Sequence, residues 1–163
     1  MPTHAEKRVL PYTQEQMFDL VAQVERYPEF LPWCIAARVR QRDEKLLVAD
    51  LIIGFKMIRE RFTSRVEFDR PRRIDVTYAE GPFRYLNNHW VFEPMPPSKE
   101  LPGGGTLIDF YVDFEFHSKL LQSLISVLFN EAVKRMVSAF ETRARALYGA
   151  PNFKIEPKTA SSS

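Results

Sequence analysis

The chain has 163 residues, 45% hydrophobic and 27% charged, with a formal net charge of +2; that is one domain's length, enough to bury a single core. So small a net charge does not by itself imply nucleic acid, and no DNA partner is expected. The single cysteine, Cys34, excludes an intramolecular disulfide and suits a reducing cytoplasm.

Residues Met1 to Arg8 lead into no apolar run, so no signal peptide is expected. No stretch approaches the roughly 18 apolar residues that a spanning helix needs. The chain is expected to be cytoplasmic, with peripheral contact at an inner membrane left open. Rings are abundant, with 13 Phe, 6 Tyr and 2 Trp, and flat side chains suit a β-rich core or an apolar cavity.

In chain order, residues 4–10 predict a short strand ending at Pro11. Thr13 and Gln16 form a capping-box pair, and Met17, Phe18, Leu20, Val21 and Val24 follow at helical spacing, predicting a helix over 14–26. Tyr27 to Cys34, with Pro28 and Pro32, breaks it. Strands are expected at 35–43 and 45–55. Over 58–68, Ile58, Phe62, Val66 and Phe68 alternate with Arg59, Arg61, Thr63, Arg65 and Glu67, the period of a half-wet antiparallel sheet. Ile74, Val76 and Tyr78 repeat that alternation, as do Leu86, Trp90 and Phe92 after the Gly81-Pro82 turn, and Ile108, Phe110, Val112, Phe114 and Phe116 after a Pro/Gly-rich loop over 94–105. From Ser118 to Tyr148 the period becomes 3.6, with Gly149 as the stop. Residues 150–163 predict a disordered tail.

The expected fold is α+β, one domain over 1–149 with no internal repeat. A half-wet antiparallel sheet must cover its apolar face, and the long helix is the element able to do so.

Five segments carry a family resemblance. They are Tyr27-Pro28-Glu29-Phe30-Leu31-Pro32-Trp33-Cys34; Phe62 to Val66 with Pro71; Gly81-Pro82-Phe83 with Leu86, Trp90 and Phe92; Asp113 to Phe116; and Met136 to Gly149. In this order the chain resembles the coenzyme Q-binding members of the START-like polyketide cyclase/lipid-transfer superfamily. The resemblance implies a helix-grip fold, a curved antiparallel sheet wrapped around a long C-terminal helix. It also implies an apolar tunnel for ubiquinone or another isoprenoid lipid, in support of respiratory electron transfer. The same pattern includes a bacterial toxin described as blocking ribosomal subunit association, so a ribosomal partner stays open beside the lipid.

Chemistry is hard to find in the sequence. His4, His89 and His117 are scattered without ligand spacing, so neither a metal nor a catalytic cofactor is expected. Cys34 beside Trp33 reads as an inert buried thiol. Gly103-Gly104-Gly105 precedes a strand and not a helix, unlike a phosphate loop. Glu60 and Ser64 share a face with Phe62, either satisfying nearby backbone or touching a ligand. No catalytic residues are assigned.

The expected cavity residues are Phe62, Tyr78, Trp90, Phe92, Phe110, Phe114, Leu128 and Met136, with Phe68 facing the same way. Leu31, Trp33, Leu120 and Leu124 are expected at its entrance, because the early turns of the long helix carry more apolar residues than one face can hold. Arginines gather over 59–84, on what reads as the outer sheet face.

Overall fold

The structure, a computed structural model, describes residues 3–55 and 58–149; the expected tail over 150–163 lies outside them. The elements run β1 (Thr3–Leu10), α1 (Gln14–Ala22), a 3-10 turn (Val24–Glu29), β2 (Cys34–Arg42), β3 (Leu46–Phe55), β4 (Ile58–Asp69), β5 (Arg73–Glu80), β6 (Phe83–Met95), β7 (Gly105–Phe116) and α2 (Lys119–Tyr148). All seven strands join one antiparallel sheet in the order β1-β7-β6-β5-β4-β3-β2. Sequential strands from β2 to β7 therefore pair as hairpins, and β1 closes onto β7.

The capping box at Thr13 forms as expected: Gln16 N–H donates to Thr13 Oγ1 at 3.0 Å and Thr13 N–H to Gln16 Oε1 at 2.8 Å. The helix it opens is shorter than the spacing predicts. It stops at Ala22, and Gln23 leaves helical space at ψ 67°. Residues Val24–Glu29 tighten into a 3-10 turn containing Pro28, because the proline ring would strike the carbonyl four residues back in an α-helix. The Tyr27 hydroxyl donates to Val21 O at 2.5 Å and staples this turn to α1.

Register shifts interrupt β2–β3, β4–β5 at Thr63/Ser64 and β6–β7 at Phe83/Tyr85. Such bulges bend their strands, which lets the sheet curl around α2. At the β5–β6 turn, Gly81 has φ +143°, and a Cβ there would lie 2.6 Å from Phe62 Cβ. Only glycine allows the turn to sit so tightly over that ring. Ser118 caps α2 by accepting from Leu121 N–H at 3.2 Å, and Gly149 ends it at φ +82°.

A candidate apolar ligand cavity

Residues facing α2 stand in rows across the sheet, and the sizes within the rows make the cavity. One row reads Phe68–Ile74–Trp90–Phe110 in register. The next reads Val66–Val76–Asn88–Val112. Beyond it stand Ser64 opposite Tyr78, and Leu86 opposite Phe114. The middle row is short-chained while large rings rise around it, so the sheet floor dips where the valines and Asn88 lie. Over the dip α2 presents Ile125, Phe129, Ala132, Val133, Met136 and Phe140, which fall within one stripe at about 100° per residue.

The space between sheet and helix is about 210 Å³. Phe62, Phe114, Phe116 and Phe83 wall one end, with Phe83 stacked on Phe116 at 4.8 Å between ring centres. Trp90, Phe110 and Phe140 wall the other, Trp90 lying 4.6 Å from Phe110 and 5.2 Å from Phe140. Val21, Val24, Tyr27, Leu31 and Trp33 complete the lining beside Leu51 and Ile53 of β3. Among the described residues none that lines it is Asp, Glu, His, Lys or Arg.

Of the residues expected in the cavity, Phe62, Trp90, Phe110, Phe114 and Met136 are on its wall, as are Leu31 and Trp33 from the expected entrance. The others lie elsewhere, each for a packing reason. Phe92 is fully buried but beyond the end of the cavity, stacked on Trp90 and edge-on to Phe18. Phe68 likewise packs against Phe18. Tyr78 turns its hydroxyl onto Gly81 O and its ring edge onto Phe83. Leu128 is half-buried on the flank of the α2 stripe, and Leu124 sits further round. Leu120 is 71% exposed and Val127 81%; seven residues apart, they share the helix face turned away from the cavity. No loop covers that face among the described residues.

Polar groups are few. Ser64 is 1% exposed and its hydroxyl donates to Ala49 O at 3.5 Å, the far limit for such a bond. Asn88 was not singled out in the sequence; the available signal was a polar residue at an inward position between Leu86 and Trp90. Its Oδ1 accepts from Trp90 Nε1 at 3.2 Å, and its Nδ2 donates to Tyr111 O at 2.8 Å. Burial lifts the Tyr27 phenol far above its ordinary range and pushes the Cys34 thiol up to about 11, so both stay protonated and unreactive at neutral pH. Among the described residues no three His, Cys, Asp or Glu side chains gather where a metal could sit, and no helix is long and apolar enough to cross a membrane.

On the outer face, β4 turns Arg59, Arg61 and Arg65 to solvent, and across the intervening β3 stand Arg38 and Arg40 of β2. Buried Asp50 sits among them, accepting from Thr63 Oγ1 at 2.5 Å and pairing with Arg40 at 2.9 Å and Arg61 at 3.3 Å. The Thr63 bond and these arginines hold its carboxyl below the usual aspartate range.

A curved antiparallel sheet closed over a long C-terminal helix with an apolar hollow between them defines a START-like helix-grip domain. A structure described as a START superfamily protein from Mycobacterium smegmatis superposes with a TM-score of 0.66 at 16% identity, covering 89% of this chain and 98% of that one. Residues 10–141 match the family described as Polyketide cyclase / dehydrase and lipid transport, and the chain belongs to it. Two relatives carry different names. One is the ribosome association toxin RatA of Pseudomonas aeruginosa, 36% identical over 150 residues, covering 91% of this chain and all of that protein. The other is the coenzyme Q-binding protein COQ10 homolog B, mitochondrial, of Xenopus laevis, 37% identical over 147 residues, covering 90% of this chain and 59% of that protein.

Proposed function

We propose that this protein binds ubiquinone or a similar polyprenyl lipid in the cavity under α2, as a carrier or chaperone that supports respiratory electron transport and catalyses no reaction. The observation that carries the reading is the apolar hollow of about 210 Å³ between sheet and helix. A benzoquinone with an isoprenoid tail has much surface to bury and little to hydrogen-bond. At roughly 25 cal/mol per Å² of apolar area such walls hold it without a strong polar site. The name of the COQ10 relative supports the ligand class. The apolar character of the described wall supports a binding role, because acid–base chemistry needs a group that titrates near neutral pH within reach of the ligand.

Phe62, Trp90, Phe110, Phe114 and Met136 are the proposed ligand contacts, and Leu31 with Trp33 the proposed mouth. The apolar strip Leu120, Leu124 and Val127, on the outer face of the helix, is proposed to rest on the inner membrane from its cytoplasmic side. The test is mass spectrometry of organic extracts of protein purified without detergent, followed by loading with added quinone. Co-purified quinone, or uptake of about one per chain, is expected. Repeated failure to load would reject the reading.

A second reading is a ribosome-binding regulator of translation. The arginine face around Asp50 favours it, as does the name of the RatA relative. Phosphate contacts weaken steeply with salt, so this reading requires stoichiometric, salt-sensitive co-sedimentation with a ribosomal subunit. None is expected at physiological salt, and finding it would reverse the ranking.

A further inference from the structure

We propose that Asn88 is the polar anchor of the cavity, donating a hydrogen bond to a carbonyl oxygen of the bound ligand and so selecting quinones over hydrocarbons of the same size. The inference rests on the lipid-binding reading and names what the site recognises within that class.

Asn88 lies on the cavity floor, in register with Val76 on one side and Val112 on the other. A side-chain amide between two valines is costly where it meets only apolar surface, unless its hydrogen-bonding capacity is used. Its orientation is fixed by partners whose roles cannot be exchanged. Trp90 Nε1 carries a hydrogen and must meet Oδ1, at 3.2 Å; Tyr111 O is a carbonyl and must meet Nδ2, at 2.8 Å. A primary amide has two N–H groups and two oxygen lone pairs. Trp90 and Tyr111 occupy one of each. One N–H and one lone pair remain on a half-buried group that faces the hollow.

The other polar side chains of the wall do not offer this combination. Tyr27 commits its hydroxyl to Val21 O at 2.5 Å. Trp33 Nε1 has no partner but is fully shut away, from the hollow as well as from solvent. Ser64, 1% exposed, turns its hydroxyl on Ala49 O. Among the described lining residues, Asn88 alone joins open area to unused capacity. Because the floor is short-chained along its row, a flat ring can lie there, its oxygen at the amide and its tail directed toward the mouth.

The experiment compares two probes with the same decyl tail, a dimethoxy-methyl-benzoquinone and an alkylbenzene without oxygen, by titrating each into purified wild-type protein and following Trp fluorescence. The wild type is expected to prefer the quinone by roughly tenfold, the size of one net hydrogen bond to a buried donor. Asn88→Leu and Asn88→Ala are expected to bring the two affinities together. A variant that merely loosens the fold would weaken both probes alike and keep their ratio, and that result would overturn the assignment. Equal affinity of the two probes for the wild type would overturn it as well, while leaving the lipid cavity standing. Failure of both probes to bind the wild type would remove the lipid-binding reading and this inference with it.

Discussion

The two halves of α2 do different work. From Met136 onward the helix is tied down on three sides. Phe140 packs edge-on against Tyr27 and Phe30, with ring centres 5.6 and 5.2 Å away, and against Trp90 at 5.2 Å. Arg143 donates to Glu29 at 2.8 Å and lies over the Phe30 ring, Arg8 pairs with Glu141, and Tyr148 donates to Gln16 O at 2.9 Å. Up to Glu131, by contrast, the helix buries only Ile125 and Phe129, while Leu120 and Val127 face outward. A helix clamped at one end and less buried at the other is expected to open locally at the less buried end before it unfolds. Local opening of this kind draws on regions with few buried contacts.

The sharpest way to break that contrast is Phe140→Ala. Removing a buried ring that touches three others should cost about 3–5 kcal/mol, read from urea midpoints. A loss under about 1 kcal/mol would mean that the clamp lies elsewhere.

Tyr27→Phe should cost about 1 kcal/mol by deleting the bond to Val21 O. Hydrogen exchange should quicken in residues 24–31 more than in residues 119–131. Equal acceleration in both segments would show that the halves open together.

A smaller effect concerns pH. Arg26 first, and then Arg143, hold the Glu29 carboxyl below its ordinary value of 4.5. A carboxylate whose folded value is depressed contributes stability above its unfolded value and loses it as pH falls through the folded one. Wild-type protein should therefore lose more stability than Glu29→Gln as pH drops from about 5 through 4.5 and below, measured by denaturant titration at each pH. Parallel curves for the two proteins would remove Glu29 from the clamp.

The smallest expected change in stability is at Val127→Asp, where an exposed apolar residue is replaced. The unfolding free energy should stay within about 0.5 kcal/mol, while binding to anionic, quinone-loaded vesicles weakens. Leu124→Asp, on a half-buried residue packed against the core, should lose stability as well. If Val127→Asp binds vesicles like the parent, the outer strip does not meet the membrane.

Much of the fold is legible in the sequence. The alternation from residue 58 to 116 gave the strands and their inward faces, because a pleated chain exposes every second side chain to the same side. The Thr13 capping box and the Gly149 stop are local hydrogen-bond and backbone effects, so they too were legible. The end of α1 was not. Val24 continues the helical spacing, but Pro28 acts on the turn before it, and the 3-10 geometry follows from that clash.

The candidate site divides along the same line. Sequence determined that Phe62, Phe68, Tyr78, Trp90, Phe92, Phe110 and Phe114 belong to the inner side of the sheet, because parity along a strand is a property of the backbone alone. Only the tertiary structure decided that Phe92 and Phe68 pack against Phe18 beyond the hollow, that Tyr78 turns to Gly81, and that Leu120 faces away from it. It alone also placed Asn88 in the row of valines. Parity gives a side but not a depth. Depth depends on which strands stand next to one another, in what register, and where the helix crosses them, and those are long-range contacts that no short window of sequence contains.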